Sequence, residues 1–112
     1  MTGEEARQKS GKWSRDSEVI YDEGPDGTSF IWGTYGNQKT PSLGVRWNVS
    51  EGVHTLGFPH SHSKPSWLVV PDVIANTSLF ALLSHVCSLD VSERNKWESR
   101  IRKAIVESVN GK

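Results

Sequence analysis

Apolar and polar positions follow two different periods along this chain. From residue 17 to residue 70 apolar side chains recur mainly at every second position, and from Val73 onward they recur at three and four. The clearest alternation sets Leu43, Val45, Trp47 and Val49 on one face and Gly44, Arg46 and Asn48 on the other. That pattern predicts a half-buried antiparallel strand over residues 43–49, with Trp47 in the core and the polar side turned to solvent. Residues 17–22 and 28–35 read as two further strands. Gly24-Pro25-Asp26-Gly27 joins them into a hairpin, because Pro presets φ and Gly accepts the left-handed region. A weaker strand is expected at residues 53–56. A last one is expected at 66–70, where the near-continuous run Trp67-Leu68-Val69-Val70 suggests a central place in the sheet.

Pro71-Asp72 opens the first helix of the back half, since proline lacks only an N–H that the first turn leaves unused. Asn76-Thr77-Ser78 is a poor helix interior, so this segment is either one helix with a weak middle or a short turn followed by a fresh helix. Asp90 with Glu93 three residues on forms a capping-box signature for a final helix. There Trp97, Ile101, Ala104, Ile105 and Val109 draw one apolar stripe that ends at Asn110-Gly111. Strands followed by helices predict an α+β domain: a four- to five-stranded antiparallel meander with two C-terminal helices on one face. Residues 1–16 have no hydrophobic period and read as a polar, mobile tail, with Trp13 the only large apolar group able to dock. Residues 17–112 read as the single folded domain.

Composition narrows the function. The 112 residues suit one domain, and no apolar run approaches the ~18 residues that cross a bilayer, so no membrane role is expected. A polar start and a single cysteine, Cys87, point to a cytoplasmic chain without an internal disulfide. Net charge is zero but unevenly placed. Residues 1–27 carry four basic and seven acidic side chains, residues 28–71 three basic and one acidic, and residues 72–112 six basic and five acidic. A dedicated nucleic-acid binder shows a clear basic excess, which is missing here. The middle segment combines few charges with Phe30, Trp32, Tyr35, Trp47, Phe58 and Trp67, six of the ten aromatic residues.

The candidate chemistry centres on Pro59-His60-Ser61-His62-Ser63-Lys64-Pro65 and the tryptophan just beyond it. His60 and His62 chelate a metal only if both rings converge, and the Cys-x-x-Cys and His-x3-His spacings of structural zinc sites are absent, so no metal and no cofactor is expected. A phosphate-binding or hydrolytic reading would use His60 or His62 with Arg46. Yet His60-Ser61-His62-Ser63 overlaps itself, and no nucleophile elbow, Walker loop or dinucleotide motif occurs. A nucleic-acid reading would stack bases on the aromatic sheet with Lys39, Arg46 and Lys64 on phosphates, or insert the last helix, where Glu93, Glu98 and Glu107 offset Arg94, Lys96, Arg100, Arg102 and Lys103. The preferred reading is a non-enzymatic binding module with Trp32, Tyr35, Arg46, His60, His62, Lys64 and Trp67 as binding residues. Two helices cover only one sheet face, so an apolar second face asks for a partner: a protein, a small ligand or a second copy of the chain.

Overall fold

The computed structural model describes residues 1–52 and 55–110. Helix α1 (Gly3–Lys9) comes first, then strands β1 (Glu18–Asp22), β2 (Thr28–Gly33) and β3 (Ser42–Trp47). A small hairpin of β4 (His60–Ser61) and β5 (Lys64–Pro65) follows, then β6 (Leu68–Val70) and helices α2 (Asp72–Cys87) and α3 (Val91–Asn110). The fold is α+β. Strands β1, β2, β3 and β6 form an antiparallel sheet in that order, β4 and β5 form a separate two-stranded sheet, and α2 and α3 pack together.

Register sorts the side chains into two faces. Trp32 lies opposite Leu43, and Leu43 opposite Val70; these three face α2 and α3, where Leu79, Leu82, Val86, Ile101 and Ala104 complete the larger core. Ile20 is an extra residue in β1, because Val19 pairs with Ile31 while Tyr21 pairs with Phe30. This bulge turns both Ile20 and Tyr21 toward the helices and leaves Val19 on the other side. The opposite face carries the rows Val19–Ile31–Gly44–Val69 and Asp22–Ser29–Arg46.

That second face is covered by the chain's own N-terminal segment. The expected structureless tail contains α1, which begins with a reciprocal capping box between Thr2 and Glu5 and buries Ala6 against Val19, Ile31 and Trp67. The Gly3 N–H donates to Asp22 Oδ2 at 2.8 Å. Beyond the helix, Trp13 makes an antiparallel bridge with Tyr35, and backbone bonds from Ser14 to Thr34 and from Gly36 to Lys12 hold it there. A row of apolar residues with no complementary helix in the back half is covered from the front.

Three strand expectations change. Strand β6 is an edge of the sheet rather than its centre, since nothing follows it in the order β1-β2-β3-β6. Gly44, Arg46 and Asn48 are buried rather than turned to solvent, while Trp47, at the end of β3, is 48% exposed. Of the strand expected at 53–56, Val53 and His54 lie outside the described residues, and Thr55 and Leu56 form a turn. Helix α2 is continuous through Asn76-Thr77-Ser78: Asn76 Nδ2 donates across to Ser108 Oγ on α3 at 2.7 Å, and Ser78 Oγ donates to the Ile74 carbonyl. Asp90 caps α3, accepting from the Glu93 N–H at 3.0 Å. Gly111, the expected stop, lies outside the described residues.

Candidate functional site

Arg46 organises the region that the sequence singles out. It is fully buried, and among the described residues its hydrogen-bond acceptors are all neutral oxygens. Its Nε donates to Asn48 Oδ1 at 2.9 Å, one terminal nitrogen donates to the carbonyls of Ser66 (2.6 Å) and Pro59 (3.4 Å), and the other donates to the Leu56 carbonyl. The planar fork thus ties both ends of the segment 56–66 to β3, which a compact ammonium could not do from one point. Burial lowers its pKa to about 10, still charged at neutral pH. The guanidinium also lies 5.8 Å from the Trp67 ring centre.

The network continues away from the loop. Asn48 Nδ2 donates to Ser29 Oγ at 2.6 Å and Ser29 Oγ donates to Asp22 Oδ1 at 2.9 Å, so neutral groups connect the buried cation to a carboxylate that also receives α1. Gly57 permits the close approach at the other end: with φ at 71°, it takes a left-handed conformation, and a side chain there would meet the Trp47 carbonyl and Arg46.

Between the N-terminal segment and the β4–β5 hairpin lies a cavity of about 530 Å³. Trp13, Tyr35 and Trp67 supply its aromatic lining; Lys12, His62 and Lys64 supply its polar, cationic side; Leu68 and Val69 bring the sheet edge to it. None of its lining residues is Asp or Glu. Trp13 stands edge-on to both Tyr35, at 5.1 Å between ring centres, and Trp67, at 6.4 Å. Ser10 Oγ donates to the Pro65 carbonyl at 2.9 Å and fastens the end of α1 to the hairpin. At the hairpin tip His62 and Ser63 adopt φ of 52° and 65°, the conformation a two-residue turn of this hand requires although neither is glycine.

The candidate residues therefore separate. Tyr35, His62, Lys64 and Trp67 meet at one cavity. Trp32 is on the opposite face of the sheet from Trp67, buried in the larger core, with Nε1 donating to Glu107 Oε2 at 3.0 Å. His60 is on β4 with its ring 5.9 Å from Phe58, and Arg46 is committed to backbone carbonyls rather than presented to a phosphate. Lys12 and Trp13 were not singled out as binding residues; the capping-box spacing Thr2-Gly3-Glu4-Glu5 was the signal that their segment begins with a helix.

Other features bear on function. Among the described residues there is no group of three or more His, Cys, Asp or Glu that could hold a metal ion, and no helix is long and apolar enough to cross a membrane. On α3, Glu98 pairs with Arg94 and Arg102, Glu93 pairs with Lys96, and Arg100 donates to the Val19 carbonyl. Comparison with known protein families, curated proteins and solved structures returned no match.

Proposed function

We propose that this protein is a non-enzymatic binding module and that its ligand occupies the cavity between Trp13, Tyr35 and Trp67. The observation that carries the reading is the cavity itself: about 530 Å³, three aromatic rings, a cationic side and no carboxylate in its lining. Such a lining suits a ligand with an apolar or planar body and an anionic group, and the size falls in the range of small-molecule and side-chain pockets. Among the described residues no hydrogen bond joins a cavity serine to His62 or Lys64, which favours binding over catalysis. The partly buried, free Cys87 on α2 fits the reducing, cytoplasmic setting read from composition. The test is a small-fragment screen followed through the indole N–H resonances. Hits that shift the Trp13 and Trp67 signals, and lose affinity in Trp13→Ala, are expected. Hits confined to other surfaces, or none at all, would sink the reading.

A second reading, self-association, is favoured by a different surface. Thr28–Trp47–Phe58 and Phe30–Val45–Leu68 are neighbouring cross-strand rows on the helix-bearing face, and Trp47, Phe58 and Leu68 are each about half exposed. Exposed aromatic and aliphatic groups in one patch are the usual core of an interface. Light scattering over a concentration series, with Trp47→Lys beside the wild type, tests it. A dimer that the substitution dissociates supports the reading, and a monomer at every concentration removes it.

A further inference from the structure

The cavity opens onto the free edge of the sheet. Trp47 and Phe58 exchange both of their backbone hydrogen bonds, each at 2.8 Å, so Trp47 points its N–H and C=O toward the β6 side of β3. Backbone direction alternates along a strand, so Val45 and Leu43 do the same and are met by Leu68 and Val70. Val69, between them and opposite Gly44, must turn its own N–H and C=O away from β3, to the side where the sheet has no further strand among the described residues. Val69 also lines two cavities: the aromatic one, and a second of about 400 Å³ whose lining includes Lys39, Thr40, Val70 and Pro71. The two cavities therefore flank Val69, whose backbone hydrogen-bonding groups point away from β3.

We infer that this edge, together with the Trp13–Tyr35–Trp67 cavity, takes an extended acidic segment of a partner protein as a fifth strand. The inference rests on the reading of that cavity as the binding site and names its ligand class. An added strand would exchange two hydrogen bonds with Val69 and send alternate side chains over the Trp67 face, where one apolar residue fits the aromatic cavity. Charge selects the segment. Lys12 and Lys64 line the cavity and Lys39 the second one, against a single carboxylate, Asp72, in the latter. A single-stranded nucleic acid fits less well, because the outward Val69 N–H and C=O match a peptide backbone rather than a phosphodiester.

The experiment selects phage-displayed random short peptides on the full chain and titrates an enriched peptide into four proteins: wild type, Val69→Pro, Lys12→Glu/Lys64→Glu and Trp13→Ala. Proline at 69 deletes the outward donor while leaving the bonds of Leu68 and Val70 to β3 in place. Enrichment of Asp or Glu two positions from an apolar residue is expected, with affinity falling about tenfold in Val69→Pro and in the double lysine variant, where net loss of one or two hydrogen bonds or close charge pairs is at stake. Should Val69→Pro fail to fold, hydrogen exchange at the wild-type Val69 amide decides instead: the peptide must slow it. Binding abolished by Trp13→Ala but indifferent to Val69→Pro, with no protection of that amide, would keep the cavity and overturn strand addition. Failure to enrich any acidic peptide overturns the ligand class, while the fragment screen judges the cavity separately. Salt-sensitive binding of oligothymidylate unaffected by Val69→Pro, or a homodimer that Val69→Pro dissociates, would assign the surface to nucleic acid or to a second copy and overturn the inference.

Discussion

Trp13 lies directly over Gly44: a Cβ added to Gly44 would stand 2.7 Å from Cζ2 of Trp13 and 2.7 Å from Cγ2 of Ile31. The missing side chain in the middle of β3 is the seat of the N-terminal segment. Gly44→Ala is therefore expected to lift Trp13 from the sheet and cost about 1–3 kcal/mol through overpacking. Thermal melts measure the loss. Combined with Trp13→Ala, the alanine at 44 should cost less than it does alone, because one of its two clash partners is gone and only Ile31 remains. Equal losses in both backgrounds would mean that the two residues do not oppose one another.

Arg46→Met is expected to destabilise the fold by about 2–4 kcal/mol, since it takes their donor from the carbonyls of Leu56 and Ser66, while the Pro59 carbonyl keeps the Ser66 N–H. Arg46→Lys should recover only part of this, because one ammonium cannot span the three carbonyls and Asn48. The pH dependence has a definite sign. Burial lowers the folded pKa to about 10, below the ordinary arginine value, so the folded state releases its proton first and its stability rises with pH only between the folded value and the ordinary one. Below about pH 9 the wild-type-minus-Arg46→Met difference from this group is flat. Urea titrations at several pH values check it.

The two buried tryptophans, Trp32 and Trp67, offer a controlled comparison. Trp32 Nε1 is bonded to Glu107, whereas Trp67 Nε1 is buried without an acceptor among the described residues. Replacing Trp32 by Phe removes a charge-assisted bond and should cost about 1–2 kcal/mol more than Trp67→Phe, in which the donor removed is unpaired and an aromatic ring remains beside Arg46. Chemical denaturation of the two variants measures the difference, and equal losses would contradict it.

Glu23 gives an acid-side prediction. Its carboxylate accepts from the Thr28 hydroxyl and, at 2.9 Å, from the Thr28 N–H, and these bonds hold its pKa below the ordinary 4.5. A depressed carboxylate pKa stabilises the fold above the unfolded value, and that gain is lost as pH falls through the folded value. Wild type should thus exceed Glu23→Gln in melting temperature at neutral pH, with the gap closing in acid. Solvent screening at this exposed site keeps the effect under about 1 kcal/mol. A gap that persists below the folded pKa would rule out the carboxylate as its source.

Much of the architecture was legible because period and end signals are local. The hairpin at Gly24–Gly27, the start of α2 at Asp72 and the Asp90 cap of α3 each depend on a few adjacent residues, and all three occur where the pattern puts them. Arg46 was legible as an important residue but not as a buried one. Alternation tells which residues share a face and not what covers it, so a strand's polar side reads as solvated until a second layer is found. Trp32 and Trp67 illustrate the same gap: each is an aromatic residue on a strand pattern, yet they lie on opposite faces.

Periodicity, turn residues and caps act over a few positions, so the linear pattern suffices for the antiparallel strands, the two C-terminal helices and the gathering of aromatic and cationic groups around residues 59–67. Long-range packing is what makes residues 1–13 the second layer, rests Trp13 on Gly44, has Arg46 clamp the 56–66 segment and ends the sheet at β6 with Val69 facing outward. These are contacts between segments tens of residues apart. They are selected by which apolar face remains uncovered and which buried donor finds its acceptors once the whole chain has folded.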